Sequence, residues 1–176
     1  MSLKLFNGLY YRMQRRKDGR SCIHYRPFFY PLDGILHWNR MYGPRGFYQY
    51  QCLVPFAGGD AAIREILSRI GRSGAGSFLA VLKRFGDKPA AGMLSFPRAG
   101  YTLALDFPNH GHKTLELLES LDQVTRAAGG AVYPAKDARM SAESFQAYYP
   151  QWRDFASFID PAFSSSFWRR VTEIRT

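Results

Sequence analysis

Between residues 46 and 134 the hydrophobic pattern switches repeatedly between the two-residue period of a strand and the 3.6-residue period of a helix. That alternation is the strongest constraint on the fold. Gly46 to Val54 (GFYQYQCLV) alternates, is rich in aromatics and is stopped by Pro55, so it predicts a strand. Gly58, Gly59 and Asp60 open a helix with an apolar stripe of Ile63, Ile66, Leu67 and Ile70, and the small-residue stretch GRSGAG ends it. Ser77 to Arg84 predicts a second strand, Gly86 to Ala99 a loop with two prolines, and Tyr101 to Phe107 a third strand. Lys113 to Ala128 predicts a helix with Leu115, Leu117, Leu118, Leu121 and Val124 inward and Glu116 and Glu119 outward. Gly129-Gly130 ends it, and Ala131 to Tyr133 begins a short fourth strand. The order β-α-β-β-α-β is the ferredoxin-like, split-βαβ arrangement: an α+β domain over 46–140, with an antiparallel sheet and helices on one face.

The flanks are less regular. Leu3 to Lys17 spaces Leu5, Leu9, Tyr10 and Met13 as an amphipathic helix with a basic end. Residues 18–32 hold Pro27 and Pro31 and no helical period, and read as an irregular aromatic connector. Asp33 is placed to cap a short helix running to Met41, with GPRG at 43–46 ending it. The organisation expected is thus a basic helix and connector over 1–45, the core over 46–140, and a helical tail over 141–176 packed on the core. Ser141 would cap the first tail helix, with Glu143 in its first turn.

Composition narrows the function classes. Of the 176 residues 46% are hydrophobic, enough for a real core, so a disordered chain is excluded. No run of about 18 apolar residues occurs, so no helical membrane span is expected. Leu3 to Tyr11 is too short and mixed for a signal peptide, and Cys22 and Cys52 form no disulfide framework, which points to the cytoplasm. The formal charge of +10 invites a nucleic-acid reading, yet +7 of it lies in the first 45 residues. Arg45-Gly46-Phe47 resembles the opening of an RNA-recognition strand, but Gln49 and Cys52 stand where base-stacking aromatics are needed. No nucleic acid is therefore expected as a partner.

Alternation also sorts the strand faces. Tyr48, Tyr50 and Cys52 share one side of the first strand, and Gln49 and Gln51 the other. In the third strand Tyr101, Leu103 and Leu105 oppose Thr102, Ala104 and Asp106. One sheet face can pack on helices while the other collects Gln49, Gln51, Lys83, Thr102 and Asp106, which suits either a ligand site or a solvated surface. A free-standing ligand-binding module is one function consistent with this pattern. His110-Gly111-His112 lacks a third ligand, so no metal is expected. Gly71-x-x-Gly74-x-Gly76 follows a helix where a dinucleotide fingerprint must follow a strand. In Tyr133 to Arg139 (YPAKDAR), Lys136 lies just past a strand, either as a surface lysine or as a cation placed to stabilise a developing anion.

Several stretches together carry a family resemblance: FYPLD at 29–33, WNR at 38–40, GFYQYQ at 46–51, FLAVLKRFG at 78–86, LSFP at 94–97, LDFP at 105–108 and YPAKDAR at 133–139. In this order the chain, from about residue 5 to 171, resembles the C-terminal domain of FAD-linked oxidoreductases of the vanillyl-alcohol oxidase superfamily. Within it the chain resembles the decaprenylphosphoryl-β-D-ribose oxidase-like bacterial proteins, with sugar-lactone oxidases further off. Enzymes of that family hold FAD on an N-terminal domain that has no counterpart here, and a C-terminal cap forms the substrate pocket. The resemblance implies an excised or separately encoded cap, inactive alone, with Met1-Ser2-Leu3 as an added leader and the FAD-binding domain as missing partner. It implies hydride transfer from a hydroxyl of a sugar-like or polyol substrate, which can be phosphorylated. Lys136 matches the lysine beside the flavin pyrimidine ring and the substrate, and Tyr133 a residue contacting the flavin. Gln49, Gln51, Lys83 and, more weakly, Asp106 match residues lining the substrate pocket. Thr102, Ala104 and Pro134 depart from the family pattern, which bears on the substrate and not on the reaction class.

Overall fold

A computed structural model describes residues 3–15, 19, 22–30, 32–77 and 79–172, with the side chains of Leu3, Lys4 and Phe6 also excepted. Arg16, Lys17, Asp18, Arg20, Pro31 and Phe78, like Met1 and Ser2 of the expected leader, lie outside the described residues. Two compact units are present, Met1–Gly43 and Pro44–Thr176.

The first unit contains helix α1 (Leu3–Arg15), which ends in Arg12 and Arg15 as its amphipathic spacing predicts. The connector is more ordered than its prolines suggest. Helix α2 (Tyr25–Phe29) forms because the His24 side chain accepts from the Arg26 N–H, and Pro27 sits in a first turn that needs no N–H donor. The helix expected from Asp33 is absent. Turns run to His37, whose positive φ of 55° precedes a 3₁₀ segment at Trp38–Tyr42. Gly43 ends that segment at φ 79°.

The second unit is the ferredoxin-like core. Strand β1 (Phe47–Val54), helix α3 (Gly59–Ser73), strands β2 (Ala80–Phe85) and β3 (Gly100–Pro108), helix α4 (His112–Ala127) and strand β4 (Ala131–Val132) follow in the predicted order. The sheet order is β2-β3-β1-β4 and every pairing is antiparallel. This places β1 and β3 centrally, with Gln49 opposite Asp106 and Leu53 opposite Thr102. β2 starts later than predicted, because the Ser77 hydroxyl bonds the Leu79 carbonyl and accepts from the Asp106 N–H at 2.9 Å. At the far end the chain is packed without slack. A Cβ on Gly130 would stand 2.2 Å from the Leu53 carbonyl oxygen, so only glycine fits there.

One face of the sheet carries the core: Tyr50, Cys52, Val54, Leu103, Leu105 and Phe107, covered by Ile63, Ile66, Leu117, Leu118 and Leu121. Two helix stripes are rotated from expectation. Leu67 is exposed, and Leu115 and Val124 are only half-buried, while Asp122 and Thr125 of α4 lie fully inside. Helices α5 (Ala142–Tyr148), α6 (Trp152–Ala156) and α7 (Ser166–Thr172) extend this core past the β4 edge. Ser141 caps α5 by accepting from the Ser144 N–H, and the Tyr149 hydroxyl donates to the Val132 carbonyl at 2.8 Å.

Candidate functional site

The opposite sheet face is neither bare nor evenly solvated. At one end the 86–99 loop crosses it. Phe96 meets Phe85 of β2 edge-on at 6.3 Å and stacks on Tyr133 beyond β4 at 4.8 Å, so an aromatic bridge spans the sheet from edge to edge. Phe96 is 4% exposed and Thr102 1%. Phe96 therefore forms a lid over that end. The Tyr133 backbone N–H donates to the Gln51 carbonyl at 2.8 Å, which holds the bridge on the strand ladder.

Away from the lid the predicted polar residues meet. Lys136 Nζ donates to Gln49 Oε1 at 2.8 Å, and Gln49 Nε2 donates to Asp106 Oδ1 at 3.2 Å. An ammonium only donates and a carboxylate only accepts, so the Gln49 amide must turn its oxygen to Lys136 and its nitrogen to Asp106. The relay thus fixes its own polarity. Gln51 Nε2 donates to Thr102 Oγ1 at 3.1 Å along the same face. Lys83 is exposed, in register with Thr102 on that side, and belongs to no bond of the relay. Asp106 is only 2% exposed and lies beneath Gln49, so it acts on the surface through the amide above it.

The segment carrying Lys136 is clamped from behind. It forms a 3₁₀ turn at Pro134–Lys136. Arg139 then reaches back to α4, bonding Glu119 Oε2 at 2.9 Å and Asp122 Oδ2 at 3.1 Å. Asp137 accepts from the backbone N–H groups of Arg139 and Met140, and is paired with Arg170 of α7. Asp122 is 1% exposed, and its Oδ1 and the Arg139 Nε lack a hydrogen-bond partner among the described residues. Burial therefore outweighs the pull of Arg139, and the Asp122 carboxyl is pushed up to about 6. Burial likewise raises the Cys52 thiol to about 12 and holds the Tyr50 and Tyr148 phenols neutral.

Alternation put Gln49, Gln51, Lys83, Thr102 and Asp106 on one face, and there Gln49 bonds Asp106 and Gln51 bonds Thr102. Lys136, which the resemblance rather than the alternation brought in, bonds Gln49. Sequence reading did not find the Arg139–Asp122–Glu119 clamp, although Asp122 follows Leu118 by four residues, on the buried side of α4. A polar residue in an inward stripe was the available signal. Neither histidine of the HGH loop is placed as a ligand pair. His110 meets Arg45 at 3.3 Å and His112 meets Glu116 at 3.0 Å. Among the described residues no cluster of three or more His, Cys, Asp or Glu could hold a metal. Cys22 and Cys52 are both free, and no described helix is long and apolar enough to cross a membrane.

No family model matches the chain. Over 149 residues, 82% of its length, it is 40% identical to decaprenylphosphoryl-β-D-ribose oxidase of Mycolicibacterium smegmatis and covers 32% of that protein. Over 131 residues, 72% of its length, it is 34% identical to an uncharacterized protein in the mprA 5′ region of Streptomyces coelicolor and covers 35% of it. The chain spans about a third of the length of the curated relatives it matches.

Proposed function

Since the chain is homologous to a portion of an oxidase, we propose that it is the substrate-binding cap of an FAD-dependent oxidoreductase that oxidises a hydroxyl of a sugar-like or polyol substrate. The observation that carries this reading is the Lys136–Gln49–Asp106 relay on the polar sheet face. The donor set fits a flavin ring: the Lys136 ammonium and the Gln49 and Gln51 amides lie along one sheet face, and the Asp106 carboxylate bonded to Gln49 is buried. FAD, when bound, supplies the hydride acceptor. Lys136 and Tyr133 would hold its ring. The ammonium, oriented by Gln49, would favour negative charge developing beside it. Gln49, Gln51 and Lys83 present the amides and the charge that would orient a polyhydroxylated substrate, and Asp106 keeps Gln49 in place.

The partner this requires is a flavin-binding domain, and the chain alone retains little FAD and does not turn over. In the full-length protein carrying this domain, Lys136→Met should slow flavin reduction by substrate about 100-fold, the scale of one lost electrostatic stabiliser, while FAD content stays near stoichiometric. Stopped-flow absorbance measures the first and the visible spectrum the second. Reduction kinetics unchanged by Lys136→Met would remove Lys136 from the mechanism. A flavin spectrum in the isolated chain would refute its dependence on a separate cofactor domain.

A further inference from the structure

We propose that a second site, where the ends of α3 and α4 meet the start of β1, binds a small phosphate-bearing anion. The cavity there has a volume of about 440 Å³, within the usual range for small-molecule sites. Two stretches outside the relay form its walls. One is the glycine-rich segment after α3, Ser73 to Gly76, and the other is the loop from Pro108 through His110 to the first turn of α4. Arg45 and Lys113 line it as cations, and no Asp or Glu is among the lining residues.

The polar groups are arranged for an acceptor-rich guest. Arg45 Nη2 lies 3.3 Å from His110 Nδ1. A guanidinium can only donate, so His110 Nδ1 accepts and the ring proton sits on Nε2, which makes His110 a donor on its other side. The loop beneath is held rigid: Asn109 Nδ2 donates to the Arg45 carbonyl at 3.2 Å, and the Thr114 hydroxyl donates to the Pro108 carbonyl at 2.9 Å. The facing wall is open. Gly74 has a left-handed φ of 69°, and nothing lies within 4 Å of where a Cβ would stand. Ser73 directs its hydroxyl to the Ile70 carbonyl at 2.8 Å, which covers one acceptor at the end of α3 that would repel an anion. Two cations, an imidazole N–H and a facing wall of small residues suit a tetrahedral oxyanion, and the volume leaves room for an organic substituent.

The site lies apart from the relay, so it can be tested on this chain without flavin. Titration of the 176-residue chain with inorganic phosphate and with glycerol phosphate, followed by ¹⁵N–¹H NMR at low ionic strength, should give saturable shifts confined to residues 73–76 and 108–114. Tighter binding of the ester assigns a phosphorylated metabolite, and equal binding assigns free phosphate. Arg45→Gln and Lys113→Gln should each weaken binding about fivefold, the scale of one partly exposed charged contact. Lys88→Gln removes a charge from the 86–99 loop and should leave affinity unchanged. Shifts that do not saturate, or an equal loss in Lys88→Gln, would overturn the site, as they would show attraction to net charge alone.

Discussion

Replacing Asp122 with asparagine tests whether the clamp behind Lys136 is a buried charge. The carboxyl stands at about 6 in the fold against an ordinary 3.8, because burial disfavours the anion more than Arg139 favours it. A raised folded value means that the folded state binds the proton more tightly than the unfolded chain, so this group adds stability as pH falls through 6. The full shift of about two units corresponds to about 3 kcal/mol. Between about pH 7.5 and about pH 4.5 some 2 kcal/mol of that is realised, since the unfolded carboxyl is still ionised at the lower value. Asp122→Asn keeps the shape and cannot titrate. The two proteins should therefore differ in their pH dependence: relative to the variant, the parent gains about 2 kcal/mol over this window. Urea unfolding followed by fluorescence reads this directly, with Trp152 and Trp168 packed together near the core at 6.5 Å between ring centres. Contributions from carboxylates away from the clamp, including Glu65, whose value Arg69 lowers, cancel in the difference. Parallel curves for parent and variant would show that Asp122 is not a buried anion at neutral pH, and the reasoning would fail.

Phe96→Ala should cost about 3 kcal/mol, as for other buried phenylalanines, lower the melting temperature by roughly 6–12 °C, and raise amide exchange at Tyr133, on which the ring stacks. Gly130→Ala should be worse than its size suggests, since its Cβ would stand 2.2 Å from the Leu53 carbonyl oxygen. A loss of several kcal/mol in thermal unfolding is expected, and a melting point within a degree of the parent would show that β4 has slack there.

The ordering of the core was legible because each element announces itself within a few residues: an alternating strand stopped by Pro55, a stripe at Ile63 and Ile66, a glycine pair after α4. Opposite residues of β1 and β3 then had to share a face, so Gln49, Gln51, Thr102 and Asp106 were predictable as neighbours. Their hydrogen-bond polarity was not, since it follows from Lys136, 87 residues from Gln49. The clamp was hidden for a similar reason. Asp122 stands out in sequence only as an acid on the inward side of α4, and its partner Arg139 arrives from the turn after Lys136. The missed α2 rests on a capping contact from His24, a residue with little tendency of its own to start helices.

The two edges of the sheet deal differently with a hazard common to all open sheets, the templating of another molecule's strand. β4 is only two residues long and is sealed by the tail, so it offers no stretch worth copying. β2 is longer and outermost, but Lys83 and Arg84 stand in it, with Arg84 laid over the ring of Phe56 at 4.6 Å. A foreign strand docking there would have to strip water from the Lys83 ammonium and crowd the Arg84 stack. The lysine assigned to substrate in the proposed pocket thus has a second duty as a gatekeeper. Neutralising it to alter specificity would trade colloidal stability for the change.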